Sequence, residues 1–102
     1  MEKIKACYVV RQSTTGKVLD VYKEKETLYS EIIGYDYHGK DNQMWILEEV
    51  NNGEYMLINN KSKLALEIDG GIDADGIGII QNTRYKYKNQ LWKLEAVWPI
   101  II

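Results

Sequence analysis

Few residues in this chain can do chemistry, and their spacing limits what that chemistry is. His38 is the sole histidine and Cys7 the sole thiol. A zinc-type site draws on several such side chains, so none is expected. Asp69, Asp73 and Asp75 in DGGIDADG hint at a calcium loop. That pattern also demands a glutamate farther on and flanking helices. The stretch reads instead as a turn-rich connection with left-handed glycines at Gly71 and Gly76. Ser13 or Ser30 with His38 and Asp36 has the residue types of a hydrolytic triad, but no nucleophile-elbow or oxyanion motif accompanies them. RYKYK at 84–88 interleaves basic and aromatic residues as single-strand nucleic-acid binders do. With a formal net charge of −2, one such cluster is a poor electrostatic footprint, and no nucleic-acid partner is expected. Asp20 stands apart. It lies within VLDV, and Asp is depleted inside strands, so its presence asks for a reason.

The elements that must position these residues are short strands broken by turns. CYVVRQ, VLDV, EIIGY and QMWILEE read as strands in the first half, and YMLIN, LALEI, IGII and QLWKLEAV in the second. STTGK, NKSK and the strong turn signal Asn51-Asn52-Gly53 separate them. KEKE at 23–26 alternates in sign and reads as a solvated loop. Strands with turn signals every 8–12 residues argue for an all-β sandwich or barrel, and no stretch holds a helical period. The 102 residues suffice for one domain with a modest core. No stretch is long and apolar enough to enter a bilayer. The N-terminus shows no signal-peptide pattern. The expectation is a cytoplasmic or leaderless-secreted protein, or part of something larger. The eight Tyr, three Trp and no Phe give every aromatic a polar tip, which suits half-buried positions and ligand faces.

Asn-Gln-x-Trp occurs twice, at 42–45 and 89–92. Shifting the chain on itself by that interval, 47 residues (92 − 45), aligns Tyr8 with Tyr55, Leu19 with Leu66, Ile32 with Ile79 and Ile33 with Ile80. The same shift aligns Asn42, Gln43, Trp45, Leu47, Glu48 and Val50 with Asn89, Gln90, Trp92, Leu94, Glu95 and Val97. A fixed period of this size marks stacked supersecondary units. Repeat one spans 7–50, repeat two 54–97, and an apolar tail 98–102 completes a single domain over 1–102. Trp45 and Trp92 are expected in the core. Gln43 and Gln90, two residues earlier on the same side of the strand, are expected to satisfy buried backbone groups.

A four-stranded unit that opens on Tyr8, passes through Leu19-Asp20-Val21 and closes on Asn42-Gln43-x-Trp45 resembles the ricin-type β-trefoil lectins. Tyr35, His38 and Gly39 belong to that likeness, as do Tyr55, Leu66-Glu67-Ile68, Asn89, Gln90 and Trp92 in the second half. The resemblance implies an all-β, β-trefoil-like fold with two four-stranded repeats where the family has three. It also implies a carbohydrate-binding lectin for glycans of galactose or N-acetylgalactosamine type, with no catalytic residues, metal or cofactor. Sugar recognition takes a carboxylate accepting from vicinal hydroxyls, an amide donor and an aromatic face. By family spacing, Asp20 is the acid, Tyr35 the stacking ring, His38 the next polar group and Asn42 the amide, with Gln43 bracing them. Ile33 departs from the family, which often has Gln there. A second, weaker site falls on Glu67, Asn82, Tyr85, Asn89 and Gln90.

A third unit would begin at position 102. Two-thirds of a trefoil leaves a wedge of core open, and VWPIII at 97–102 is too apolar for a solvated end. The expectation is a homo-oligomer, dimer or trimer, joined through that open face and the tail. The competing reading is a protein-interaction subunit that keeps the scaffold and has lost its sugar sites.

Overall fold

In the computed structural model of the chain, residues 6–93 are described. Seven strands carry the fold: β1 (Cys7–Tyr8), β2 (Val18–Val21), β3 (Ile32–Tyr35), β4 (Trp45–Asn51), β5 (Glu54–Asn59), β6 (Ala65–Ile68) and β7 (Ile79–Asn82). No α-helix occurs among the described residues, and the loops tighten into single 3₁₀ turns at Tyr22–Glu24, Asp41–Gln43, Asp69–Gly71 and Lys88–Gln90. Five strands form one antiparallel sheet in the order β1-β4-β5-β6-β7, and β2 pairs with β3 in a separate hairpin. A backbone bridge from Glu31 to Ile80 ties the halves together, while the bridge from Tyr55 to Trp92 closes repeat two as Tyr8 and Trp45 pair in repeat one. The architecture is the all-β, β-trefoil-like one expected. The end of the second repeat and the apolar tail lie outside the described residues.

The core follows from the apolar residues that face inward on these short strands. Val21, Ile32, Trp45 and Leu66 form one buried cluster, with Leu19, Leu57, Ile79 and Trp92 packed against it. Met56, Ile58 and Ala65 form another, flanked by Ile46, Val50 and Leu91. Trp45 is fully buried, and its indole Nε1 donates to the Leu19 carbonyl at 3.1 Å. Trp92 repeats the bond to Leu66 at 3.1 Å but keeps partial exposure. An indole plug of this kind needs a buried acceptor, and the strand carrying the acid supplies one in each half.

The repeat extends to the backbone. Among the described residues the left-handed φ values, Gly53 apart, fall in pairs 47 residues apart: Gly16 and Lys63, Lys23 and Gly70, Glu24 and Gly71, Tyr29 and Gly76, Gly39 and Lys86. Each pair has glycine on one side and an ordinary side chain on the other. Turn geometry is therefore held by the fold, and glycine merely eases it in one copy. The expected left-handed positions at Gly71 and Gly76 are present, with φ of 67° and 78°.

Candidate functional site

β2 delivers Asp20 to the floor of a surface hollow of about 450 Å³. The hollow is lined by Asp20, Ile33, Tyr35, His38 and Asn42, and at its mouth by Tyr22, Lys23, Glu24 and Lys40. Asp20 sits in a strand because the neighbouring turn gives it a partner. The Gln43 side-chain Nε2 donates to Asp20 Oδ2 at 2.8 Å and to the Asp36 carbonyl at 2.9 Å. Gln43 Oε1 accepts from the backbone N–H of His38 at 2.9 Å and of Gly39 at 3.3 Å. A buried amide that spends both donors and both acceptors holds its neighbours firmly.

Asp20 is 3% exposed. Its Oδ2 is taken by Gln43, and its Oδ1 makes no hydrogen bond to the described residues. One carboxylate oxygen is thus fixed and the other is left as an acceptor. His38 lies across the hollow, with Nε2 3.6 Å from Asp20 Oδ2. Its Nδ1 accepts from the Lys40 backbone N–H at 3.0 Å, so a neutral ring carries its proton on Nε2, facing the carboxylate. Tyr35 stands half exposed opposite, its ring edge-on to His38 with centroids 6.4 Å apart. Carboxylate floor, imidazole N–H and phenol wall together can grip a polyhydroxylated ring by its hydroxyls and cover its apolar face.

Two residues differ in detail from expectation. Gln43 lies in the 3₁₀ turn Asp41–Gln43 ahead of β4, not on the strand beside Trp45. Its long side chain turns back from there under β2. Asn42 lines the hollow, but its Nδ2 donates to the Val21 carbonyl at 3.1 Å, which locks the turn to the end of β2. A carbonyl can only accept, so the amide orientation is set. That leaves Asn42 Oδ1 buried without a hydrogen-bond partner among the described residues.

The second set repeats the bracing. Gln90 Nε2 donates to Glu67 Oε1 at 2.9 Å and to the Thr83 carbonyl at 2.7 Å. Gln90 Oε1 accepts from Tyr85 and Lys86 N–H, and Asn89 Nδ2 donates to the Ile68 carbonyl. The acid differs. Asn82, at the position equivalent to Tyr35, donates to Glu67 Oε1 at 3.1 Å and Oε2 at 3.4 Å. Both Glu67 oxygens are held by protein amides, and Glu67 and Asn82 are buried together. Tyr85 is exposed and stacked on Tyr87, with ring centroids 5.0 Å apart.

Sequence reasoning missed the mouth of the hollow. Tyr22, Lys23, Glu24 and Lys40 were not expected there, and Lys23 and Glu24 read as solvated loop. A signal existed: the 47-residue shift sets Lys23-Glu24 against Gly70-Gly71. The triad residue types do not converge either. Ser30 Oγ donates to the Thr27 carbonyl at 2.7 Å, while both His38 nitrogens face the groups already named. Among the described residues, no three His, Cys, Asp or Glu side chains gather as a metal would need.

The sequence matches the family described as ricin-type beta-trefoil lectin domain-like, over residues 2–82 and again over 41–99. No curated sequence matches it. Among solved structures, the designed 3-fold symmetric protein ThreeFoil superposes with a TM-score of 0.86 at 32% identity, over 89% of this chain and 65% of ThreeFoil. An exo-beta-1,3-galactanase from Clostridium thermocellum, 1,3Gal43A, gives 0.84 at 29% identity, over 93% of this chain and 20% of that one. The Polyporus squamosus lectin, solved with Neu5Acα2-6Galβ1-4GlcNAc, gives 0.73 at 20% identity, over 91% of this chain and 32% of the lectin, a likeness of fold. The chain therefore spans about two-thirds of the designed protein and a fifth of the galactanase.

Proposed function

The chain belongs to the ricin-type beta-trefoil lectin domain-like family, and from that premise we propose that it is a carbohydrate-binding lectin whose site is the hollow over Asp20. The reading rests on one observation. Asp20 is buried and held by Gln43 through one oxygen, and its other oxygen has no hydrogen-bond partner among the described residues. Oδ1 would accept from two neighbouring sugar hydroxyls, Tyr35 would cover the apolar face and His38 would add a polar contact, with Gln43 bracing the acid and Asn42 locking the turn beneath it. The galactanase likeness supports a sugar of galactose or N-acetylgalactosamine type. The second set is the weaker site, because Asn82 and Gln90 already occupy Glu67. Binding without hydrolysis fits the carboxylates. Glycoside hydrolysis takes two carboxyl groups facing across the bond, whereas Glu24, the other acid of the hollow, sits at the mouth 3.6 Å from Lys40. A glycan array followed by titration of Asp20→Ala tests the reading. Wild-type binding to galactose-terminated glycans should vanish in the variant, and binding that survives loss of Asp20 defeats the site.

A second surface supports the proposal of self-association. Tyr8, Val9, Val10, Leu47, Leu57 and Trp92 line a hollow of about 400 Å³ beside the edge strand β1. Tyr8 and Val10 are exposed there, and an apolar hollow of this kind fits a protein surface. Association would raise avidity for clustered glycans without new sugar contacts. Sedimentation at micromolar concentration should find an oligomer that Val10→Asp dissociates. A monomeric wild type would defeat it.

A further inference from the structure

Lys23 and Glu24, at the mouth of the hollow, both adopt left-handed backbone, with φ of 57° and 56°. Side chains pay a steric cost in that region which glycine does not. The other repeat relieves it, with Gly70 and Gly71 in the same conformation at the equivalent positions. The turn itself does not need charged residues, yet repeat one keeps two of them, and both face the binding hollow. Strain of this kind persists where a side chain has a use.

The two charges are not alike. Glu24 lies 3.6 Å from Lys40, so that acid and that lysine answer each other. Lys23 forms no ion pair with the described residues. Its Nζ rests 5.3 Å from the centre of the Tyr22 ring, also part of the hollow. A tyrosine face holds an ammonium in place without neutralising it. The hollow thus presents a carboxylate at its floor for neutral hydroxyls and an unmatched cation at its mouth.

Resting on the lectin reading above, we infer that Lys23 forms a subsite for an anionic substituent, so the preferred ligand is an acidic glycan. Its neutral ring lies over Asp20 and Tyr35 while a carboxylate or sulfate reaches the Lys23 ammonium. Both anions present the same chemistry, and the experiment separates their sources. Lys40 does not serve in this way, because Glu24 already holds it.

The test titrates lactose, sialyllactose and sulfolactose into wild type, Lys23→Gly and Lys23→Gln at low salt. Lys23→Gly copies Gly70 and keeps the turn, and Lys23→Gln removes the charge alone. An acidic ligand should bind wild type about two- to fivefold more tightly than lactose, the size of one exposed ion pair. That margin should shrink as salt rises. Both variants should bind lactose as wild type does and lose the acidic preference. Whichever of sialyllactose and sulfolactose shows the margin identifies the source. Equal wild-type affinity for neutral and acidic sugars, or a preference that survives both substitutions, overturns this inference and leaves the lectin reading standing. Failure of wild type to bind any of the three overturns both.

Discussion

Gln43 Nε2 lies 2.8 Å from Asp20 Oδ2 although 23 residues separate them, and Gln90 reaches Glu67 across the same interval at 2.9 Å. One amide thus joins the closing turn of each unit to its acid-bearing strand. The two glutamines are fully buried. What differs is the acid's remaining capacity, free at Asp20 and used by Asn82 at Glu67.

Replacing Gln43 by Leu should therefore cost stability and binding together. The change strands the Asp20 carboxylate and two backbone N–H groups. Roughly 2–4 kcal/mol should be lost, since buried groups left without partners are costly. Gln90→Leu should cost a similar amount. In urea unfolding the two variants should look alike. In sugar titration of the folded protein, Gln43→Leu should fail while Gln90→Leu should bind as wild type does.

Tyr35→Ala should separate binding from folding. The ring is half exposed, so stability should move by no more than about 0.5 kcal/mol. Affinity should fall by about 1 kcal/mol if the ring covers a sugar face. Calorimetric titration and thermal unfolding of one preparation supply both numbers. A stability loss as large as the binding loss would make Tyr35 a packing residue.

How much of this was legible beforehand depends on which force sets each feature. The period, the indole plugs and the amide braces are side-chain requirements, so the residues announce them: Trp45 is fully buried and Gln43 fully bonded. The turns were less legible. Left-handed backbone was foreseeable at Gly71 and Gly76 but not at Lys23, Glu24, Tyr29, Lys63 or Lys86. There the surrounding repeat imposes a conformation that the local residue does not favour. Gln43 misled for a related reason. Its spacing from Trp45 suggests one strand face, yet the strand begins only at Trp45.

Those left-handed residues yield a stability prediction. Lys63→Gly and Lys86→Gly should each raise stability by about 0.5 kcal/mol. Relief of roughly 1–2 kcal/mol of backbone strain outweighs the added freedom of the unfolded chain. Gly39→Ala should do the reverse, because its φ is 79° and an added Cβ would meet the Tyr37 hydroxyl at 3.2 Å. Chemical denaturation of the three variants checks the signs.

Asp36 gives a pH dependence. It lies 2.8 Å from the Lys17 ammonium, whose hydrogen bond and charge hold the carboxyl below its ordinary range. A carboxyl lowered on folding adds stability above its unfolded value, and that stability disappears as pH falls through the folded value. The site is open to solvent, so the effect should be slight and should weaken in salt. NMR titration should find the Asp36 carboxyl low in wild type and back in the usual range in Lys17→Ala.

The last prediction turns the second repeat into a site like the first. Asn82 occupies the Tyr35 position and pins both oxygens of Glu67. The brace from Gln90 is already in place, as is the Asn89 bond to the Ile68 carbonyl. Glu67→Asp shortens the acid so that Gln90 can hold one oxygen, as Gln43 holds Asp20. Asn82→Tyr removes the competing amide and supplies a ring. Each change alone is incomplete: Glu67→Asp leaves Asn82 bonded to the acid, and Asn82→Tyr leaves the longer carboxylate crowding the new phenol. The double variant should raise the calorimetric stoichiometry from one sugar per chain to two, while each single variant stays at one. A double variant that folds, keeps its first site and still binds one sugar would show that an acid, a ring and their brace are not enough to make a site on this scaffold.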